Sequence, residues 1–304
     1  MTIDFLRIIG EGKFGKMTKV LVLGKNGMLG SMVFDYITKD VSLNITGTER
    51  NEFNAEKFLK DPSKFSKFKN FDYVINCIGI IKPYCKDNDP EGVIKAIRVN
   101  SLFPHELAKF YDGSLTKIIQ IATDCVFSGR AGNYNEDSIH DPIDVYGMTK
   151  SLGEVFIGNL LNIRCSIIGP ELKNNLGLLG WFLTQKNGSK LKGFINHKWN
   201  GVTTLQFSQL VLKIINENKF HELMRINHTH HFIPNNSVTK FELLGLFAKI
   251  FNKKIIILPT NTSMPSVDRT LSTKYNILSS LIKKSTLEFE IRKLEKYMKE
   301  SKNE

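Results

Sequence analysis

A glycine-rich turn between an apolar strand and an amphipathic helix is the feature of this sequence that most restricts its fold. The apolar segment KVLVL is followed at once by GKNGMLG, residues 24–30, and by a helix predicted to begin at Met28. Gly24 permits the tight turn, Gly27 lets a pyrophosphate approach the backbone, and Gly30 lets the helix pack closely. The free N–H groups at the start of the helix would then bind the phosphates. The sequence therefore predicts a dinucleotide-binding unit.

Strand-like and helix-like segments alternate through the rest of the first half. Apolar strands are predicted over 43–48, 71–79, 117–122 and 162–168, with helical patterns between them. Such alternation is typical of parallel sheets with helices on both faces. The predicted fold class is α/β, with a doubly wound parallel (Rossmann) sheet.

The character of the chain changes after residue 168, where Asn, Gly and Leu become frequent. A short strand near residues 230–234 is expected to return to the main sheet. We therefore expect a smaller, discontinuous α/β substrate-binding domain beside the first. The predicted organisation is a flexible N-terminal extension over 1–16, an NAD(P)-binding domain over 17–168 to which 200–234 returns, and a substrate-binding domain over 169–199 and 235–304.

Tyr146 and Lys150 form a Y-x-x-x-K pattern in a segment predicted to be helical to about Leu160. Residues four positions apart lie one turn apart on the same face of a helix, so both can reach one site. A nearby ammonium stabilises a phenolate and lowers the tyrosine pKa from roughly 10 toward working pH. Thr123 follows a predicted strand and supplies a hydroxyl for the same substrate oxygen. Thr123, Tyr146 and Lys150 are therefore the candidate catalytic residues, with Tyr146 as general acid.

The expected cofactor is NADPH, with NADH as the alternative. Glu49 and Arg50 follow the second strand about 20 residues beyond the glycine turn, where an acid binds the ribose of NAD and an arginine the 2′-phosphate of NADP. Arg50 favours NADPH. The strand over 71–79 ends in Gly79, which leaves room for the nicotinamide half. The expected cofactor contacts are Gly24, Asn26, Gly27, Met28, Leu29, Thr48, Arg50, Cys77, Ile78, Gly79, Tyr146 and Lys150.

The composition argues against several other classes of protein. The net charge of +12 comes from scattered lysines without interleaved aromatics, so nucleic-acid binding is not expected. No apolar run approaches the roughly 20 residues of a membrane helix, so no membrane partner is expected. The four cysteines lack C-x-x-C pairing and are expected to be free thiols in a reducing cytoplasm. The histidines in the segment 228–231 have no acidic or cysteine partner at ligand spacing, so no metal is expected.

Several segments together resemble a known family. They are GKNGMLG, NCIGIIKP, the Val99–Asn100 pair, ATDCVFSG, VYGMTKSLGE and WNGVTT, which extend over about residues 18–275. The chain is identified as similar to the extended short-chain dehydrogenase/reductases and, among them, to the dTDP-4-dehydrorhamnose reductase branch of sugar-nucleotide 4-reductases.

The resemblance implies a role for each candidate catalytic residue. Tyr146 would protonate the C4 carbonyl oxygen of a sugar as hydride arrives from NADPH. Lys150 would lower the pKa of Tyr146 and hold the nicotinamide ribose, and Thr123 would hydrogen-bond the carbonyl. Arg269 is a candidate diphosphate clamp, although it lies in D-R-T-L-S where the family usually has Arg-Pro. The implied substrate contacts are Asp124, Cys125, Val126, Phe127, Trp199, Asn200, Thr203 and Arg269.

Two substrates stay open. The WNGVTT and NCIGIIKP segments are similar to a subgroup that reduces UDP-2-acetamido-2,6-dideoxy-hexos-4-uloses on the way to sugars such as N-acetyl-L-rhamnosamine. The branch as a whole implies dTDP-4-dehydro-L-rhamnose. Either substrate is a nucleotide-diphosphate sugar used in surface-glycan biosynthesis. A homodimer also stays open.

Three other functions are compared with the sequence. The related 4,6-dehydratases have Thr-Asp-Glu where this chain has Thr123-Asp124-Cys125, so dehydration is not expected. Epimerase–reductases resembling GDP-fucose synthase carry a cysteine at the position of Cys125, with His197 or His140 as candidate second acid; a buried structural thiol is the simpler interpretation. A non-catalytic, dinucleotide-binding regulatory subunit is the alternative from another class.

Overall fold

A computed structural model of the chain describes residues 17–261 and 266–301. The extension predicted over 1–16 lies outside these described residues. Within them, no helix is both long enough and apolar enough to cross a membrane.

Strands and helices alternate along most of the described chain. The strands are β1 (Thr18–Leu23), β2 (Leu43–Thr48), β3 (Tyr73–Asn76), β4 (Lys117–Ala122), β5 (Leu160–Arg164), β6 (Ile167–Ile168), β7 (Lys190–Phe194), β8 (His197–Trp199), β9 (Val202–Thr203), β10 (Thr229–His231), β11 (Val238–Thr239), β12 (Ile256–Thr260) and β13 (Val267–Asp268). The α-helices are α1 (Met28–Ile37), α2 (Ala55–Lys60), α3 (Pro90–Ala96), α4 (Phe103–Phe110), α5 (Val145–Leu152), α6 (Leu178–Thr184), α7 (Thr204–Asn216), α8 (Phe220–Ile226), α9 (Lys240–Ile250), α10 (Ile277–Leu281) and α11 (Leu287–Glu300). A π-helical segment, Ile97–Leu102, joins α3 to α4, and 3₁₀ turns occupy Pro62–Phe68, Lys82–Tyr84 and Asp124–Val126.

The central layer is a six-stranded sheet in the order β2-β1-β3-β4-β5-β10. Every neighbouring pair in it is parallel. The chain moves outward from β1 to β2 and then crosses back to β3, so the strand order reverses between β1 and β3. Ligands of such sheets bind in the crevice at the carboxyl ends of the strands where the order reverses. The predicted doubly wound parallel sheet is confirmed.

Both faces of this sheet are buried. Val20 and Val22 of β1 belong to one apolar cluster, and Leu21 and Leu23 belong to the other, because alternate residues of a strand point to opposite faces. All four have no exposed surface. Helices α1 and α7 supply side chains to the first cluster, whereas α2 and α4 supply them to the second. Burial on both sides explains why the strands are nearly continuous apolar runs.

Two predicted element boundaries are wrong. The helix that carries Tyr146 ends at Leu152, eight residues earlier than expected, and β5 begins at Leu160. A Cβ on Gly153 would lie 1.8 Å from the carbonyl oxygen of Asn100, so the chain turns there against a neighbouring backbone. The single strand predicted over 162–168 is two short strands, β5 and β6, which belong to different sheets.

Three small sheets follow the central one along the chain. The first has the order β11-β8-β13, and two-stranded sheets pair β12 with β7 and β6 with β9. A third apolar cluster combines residues of α6, α9 and α11 with Trp199 of β8. Strand β10 pairs with β5 at the edge of the central sheet, as expected for the segment near residue 230.

Candidate active site

The glycine turn lies at the point where the strand order reverses. Gly24 has a φ of +81°, which glycine adopts without strain. A Cβ on Gly30 would lie 2.1 Å from the carbonyl oxygen of Gly24, so only glycine permits this approach of helix and turn. The N-cap of α1 is Gly27, and the first turn has neither a side-chain cap nor an acidic residue. Its N–H groups are therefore available to an anion.

A cavity of about 220 Å³ opens beside this turn, between the ends of β1, β2 and β3. Most of the predicted cofactor contacts line it together. The exceptions are Met28, Leu29, Tyr146 and Lys150. Leu29 packs in the core with 6% exposure. The predicted contacts that line the cavity are Gly24, Asn26, Gly27, Thr48, Arg50, Cys77, Ile78 and Gly79.

The two charged residues after β2 both line this cavity. The Arg50 side chain is 71% exposed and lies 3.7 Å from Glu56. Glu49 lies 3.5 Å from Lys25, on the side of the glycine turn. Both side chains are therefore paired at the surface, and the Arg50 guanidinium is exposed enough for a phosphate to reach it.

Thr123 and Tyr146 meet at the carboxyl end of β4. Thr123 caps the turn Asp124–Val126, and its hydroxyl contacts Asp124 and the amide of Cys125, both at 3.2 Å. A Cβ on Gly147 would lie 2.2 Å from the carbonyl oxygen of Cys125. Glycine next to the tyrosine thus lets α5 lie directly against this turn. The Tyr146 phenol therefore lies near the Thr123 hydroxyl, close enough for that hydroxyl to act on its pKa.

The acidity of Tyr146 differs from what the Y-x-x-x-K spacing predicts. Burial raises the pKa of the phenol, and the charge of Cys125 adds to the increase. The hydrogen bond from Thr123 opposes it but is outweighed. The predicted lowering of the pKa is wrong in this structure because desolvation disfavours the phenolate. Tyr146 therefore holds its proton at neutral pH, as a general acid must.

Lys150 lies one turn after Tyr146, but its ammonium donates to the carbonyl oxygen of Ile121 on β4, at 2.9 Å. The side chain is 8% exposed. Burial lowers the pKa of Lys150 to about 8, while the nearby Glu154 and Cys77 act in the opposite direction. Cys77 also lines the cofactor cavity, so this ammonium lies between β4 and that cavity.

A second lysine near Tyr146 was not predicted from the sequence. Lys82 follows β3, and its ammonium lies 2.5 Å from Asp144 and 5.8 Å from the centre of the Tyr146 ring. Asp144 is the N-cap of α5 and accepts from the amide of Gly147. Burial alone would lower the pKa of Lys82, but Cys125 and Asp144 outweigh the effect of burial, and the pKa is raised. The pair fixes the start of α5. The Lys-Pro that follows NCIGII was the available signal in the sequence.

Asn100 ties the loop after β3 to α5. Its amide contacts the backbone N–H and C=O of Ile80, at 2.7 and 2.9 Å, and the hydroxyl of Thr149 at 3.2 Å. It lies in the π-helical segment, and such irregular turns are frequent at functional sites. The sequence singled out this asparagine only through the resemblance.

A buried ionic cluster lies behind the Thr123 turn. Arg164 binds Glu154 through two hydrogen bonds, of 3.0 and 2.6 Å, and both side chains are almost fully buried. The guanidinium also contacts ring nitrogens of His140 and His231 and lies 5.3 Å from the Phe127 ring. His140 is engaged by Arg164 and Ser151, so it does not face Tyr146 as a second acid. Periodicity within one strand gave no signal for this cluster, whose members come from separate elements.

The implied substrate contacts fall into two groups. Asp124 and Cys125 lie beside Thr123 at the carboxyl end of β4. Most of the others have structural partners: Val126 and Phe127 have no exposed surface, Trp199 is 4% exposed, and Thr203 caps α7. Asn200 binds the backbone of Leu271 through both amide atoms, at 2.7 and 3.0 Å. Arg269 donates Nε to the carbonyl oxygen of Phe127 at 2.9 Å.

The described part of this site shows no arrangement that favours thiolate or metal chemistry. Burial raises the pKa of the Cys125 thiol to about 11, with Asp124 adding to the increase. All four cysteines are free, as predicted. Within residues 17–261 and 266–301, no group of three or more His, Cys, Asp or Glu side chains is arranged to hold a metal ion.

Comparisons with known proteins agree with this arrangement. A family model described as the RmlD substrate binding domain matches residues 17–300. The chain is 29% identical over 142 residues to methionine adenosyltransferase 2 subunit beta of Xenopus laevis, which covers 45% of this chain and 41% of that protein. It is 28% identical over 139 residues to dTDP-4-dehydrorhamnose reductase of Mycolicibacterium smegmatis, covering 45% and 40%. The chain thus matches about two fifths of the length of these curated relatives.

The fold is also that of solved structures. The dTDP-4-dehydrorhamnose reductase of Bacillus anthracis, in complex with NADP, superimposes with a TM-score of 0.73 over 91% of this chain and 98% of that one. The two sequences are 18% identical. This similarity concerns the fold.

Proposed function

The chain belongs to the RmlD substrate binding domain family, and we propose that it is an NADPH-dependent reductase of the C4 ketone of a nucleotide-linked 4-keto-6-deoxyhexose. The observation that carries the proposal is the closeness of the buried Tyr146 phenol to Thr123 at the carboxyl end of β4, next to the end of β3 that lines the cavity. A phenol and a hydroxyl at the same edge of the parallel sheet as the cavity support the proposal. That arrangement suits reduction of a carbonyl.

The residues of the groove fit NADPH. The uncapped start of α1 and the glycine turn suit a pyrophosphate, and the exposed guanidinium of Arg50 suits a 2′-phosphate. Gly79 is exposed, and a Cβ there would meet only Asn100, at 3.5 Å. When bound, NADPH supplies the hydride. NADH stays the alternative cofactor.

Side chains of this chain supply the proton and hold the ketone. Tyr146 keeps its proton because burial raises its pKa, so it can protonate the oxygen as negative charge develops there. Thr123 donates to the same oxygen and orients it. Asp144 and Lys82 hold the start of α5, and Asn100 holds Thr149 on the same helix. These contacts keep the phenol at a fixed position.

For the substrate, we propose a sugar joined through a diphosphate to uridine or deoxythymidine. The segments WNGVTT and NCIGIIKP favour UDP-2-acetamido-2,6-dideoxy-L-hexos-4-ulose, and dTDP-4-dehydro-L-rhamnose is the alternative. The experiment is a panel of UDP- and dTDP-linked 4-keto-6-deoxyhexoses, incubated with NADPH and the full chain. We expect NADPH oxidation with one member, and its absence with all members would contradict the proposal.

The rate is expected to fall as the pH rises through about 8, because burial lowers the pKa of Lys150 to about 8. Below that pH the ammonium is charged and binds the nicotinamide ribose; above it, the charge is lost. Tyr146 does not titrate in this range because its pKa is raised. The measurement is the pH dependence of kcat/KM for NADPH between pH 6 and 10, which reports groups of the free enzyme.

The matched variant is Lys150→Arg, since a guanidinium stays charged across this range. Its basic limb should move above pH 10 or disappear, even if the rate is lower throughout. A profile for the unaltered protein that stays flat from pH 7 to 9.5 would contradict the role given to Lys150.

A regulatory subunit is the second candidate function. The similarity to methionine adenosyltransferase 2 subunit beta favours it. The contact between Thr123 and Tyr146 favours catalysis, because a protein that only binds a dinucleotide does not require a proton donor beside the groove. The Cys125 epimerase alternative requires a thiolate, and burial raises the pKa of that thiol to about 11. Tight NADPH binding without any turnover would favour the regulatory function.

A further inference from the structure

The small sheet β11-β8-β13 presents basic and aromatic side chains on one of its two faces. His197 and Trp199 of β8 share that face, since alternate residues of a strand do so. The register pairs β11 and β13 with β8, so Lys240 and Arg269, which follow those strands directly, extend the same face. We name His197, Trp199, Lys240 and Arg269 the basic face. The ammonium of Lys240 lies 4.9 Å from the centre of the Trp199 ring, which confirms that these two side chains meet.

The charges of the two sheet faces are balanced differently. On the opposite face, Lys198 lies 3.3 Å from Asp268 and is neutralised by it. Across residues 17–261 and 266–301, neither Lys240 nor Arg269 forms an ion pair with a carboxylate. Nε2 of His197 is buried and has no hydrogen-bond partner among the same residues. Two half-buried cations and an unused ring nitrogen thus share one surface, an arrangement that is costly without an anion.

The basic face lies near the turn that holds Thr123 at the carboxyl end of β4. The charges of Asp124 and Cys125 act on the ammonium of Lys240, and Arg269 acts on both Lys240 and Cys125. Nε of Arg269 also donates to the carbonyl oxygen of Phe127 at 2.9 Å, so the basic face lies beside the turn that follows Thr123. The phosphate part of a substrate whose ketone reaches Tyr146 would therefore have the basic face within reach.

We propose that Lys240 is a substrate-binding residue that, together with Arg269, holds the phosphoryl oxygens of the nucleoside diphosphate. This assignment rests on the proposed function, which supplies a diphosphate-linked substrate. His197 provides a further donor through Nε2, and Trp199 supports the stem and charge of Lys240. None of the sequence patterns singled out Lys240, because it follows a two-residue strand and opens α9.

The geometry divides the work between the two cations. Arg269 donates Nε to the Phe127 carbonyl. Among residues 17–261 and 266–301 its two terminal nitrogens have no hydrogen-bond acceptor, so they can form a fork for one phosphate. Lys240 is a compact point charge with three donors and suits the second phosphate. A diphosphate carries about two negative charges and would neutralise both. A neutral sugar or nucleoside would leave the two cations uncompensated.

The test uses the tryptophan of the basic face as its reporter. The chain has two tryptophans, so Trp181→Phe leaves Trp199 as the single one. In that background, UDP and dTDP are titrated against Trp199 fluorescence, with uridine and inorganic pyrophosphate as separate probes. Lys240→Met is expected to raise the Kd for the nucleoside diphosphate about 10- to 100-fold, because a charge-assisted hydrogen bond is lost. Lys240→Arg should restore part of the affinity.

The control is Lys249→Met, a lysine of the same helix that pairs with Glu288 at the surface. It should leave the Kd unchanged, and the weaker binding of uridine should not respond to Lys240→Met. Equal Kd values for UDP and dTDP in Lys240→Met and in its parent would overturn the proposal, as would a failure of both to bind the parent. The titration needs no turnover. Lys240-dependent binding without reduction of any ketosugar would therefore overturn the proposed function alone.

Discussion

Replacing Tyr146 with Phe is expected to lower kcat by about 10²- to 10⁴-fold, the usual contribution of a positioned general acid. The substitution removes one oxygen and retains the ring. KM for NADPH should change little, because the residues that line the cofactor cavity are left unaltered. The measurement is steady-state NADPH oxidation with the ketosugar that the unaltered protein turns over. The expected loss of kcat follows from the protonated state of Tyr146. Burial raises the pKa of this phenol, so the acid is present at neutral pH.

The matched control for this variant is Tyr36→Phe. Tyr36 lies on α1, and its ring lies 6.0 Å from that of Tyr297, away from Thr123 and Tyr146. It undergoes the same chemical change and should keep the parental kcat. Undiminished turnover in Tyr146→Phe would remove Tyr146 from the mechanism.

Replacing Arg164 with Met is expected to cost about 3–5 kcal/mol of unfolding free energy, the range for breaking one side of a buried ion pair. Arg164 is 1% exposed and Glu154 is 3% exposed, so the remaining carboxylate could not regain its hydration without local opening. His140 and His231 would lose a donor as well. Chemical denaturation followed by circular dichroism measures the change.

Two further variants separate this explanation from a general loss of packing. The double variant Arg164→Met/Glu154→Leu removes both charges and should regain part of the stability, since no buried charge is left unpaired. Arg292→Met breaks the exposed pair with Glu288, at 2.8 Å, and should cost no more than about 1 kcal/mol. Equal destabilisation by Arg164→Met and Arg292→Met would contradict the account of the buried cluster.

The parts of the fold that follow local rules were predictable from the sequence. The turn after β1 has a steric requirement at Gly24 and Gly30 that no other residue meets, and the helix over Met28–Ile37 matches its apolar period. The alternation of apolar strands with helices predicted the parallel sheet. The predicted helix after Tyr146 ran too long because its end depends on contact of Gly153 with the Asn100 backbone, a tertiary feature.

The residues of the candidate site were predictable where their spacing in the sequence brings them together. Tyr146, Lys150 and Thr123 were found through strand ends and helical spacing. The raised pKa of Tyr146 was not predicted, because it is caused mainly by burial, which the spacing does not show. Lys82 and Lys240 escaped sequence analysis for a similar reason. Each acts next to partners that are distant in the chain, and one lysine among many scattered lysines carries no local signal. The pairing of β11 and β13 with β8 brings Lys240 next to Trp199 and Arg269.

The most direct test of the proposed reduction follows the hydrogen atom. NADPH deuterated at the 4R position and, in a parallel incubation, at the 4S position is mixed in ordinary water with the full chain and the panel of UDP- and dTDP-linked 4-keto-6-deoxyhexoses. The products of both incubations are analysed by NMR. We predict deuterium at C4 of one product and, in the reciprocal experiment with heavy water, none at C3 or C5. Solvent deuterium at C3 or C5 would establish epimerisation. NADPH binding with no deuterium at C4 of any sugar would contradict the central claim that this protein is a ketosugar reductase.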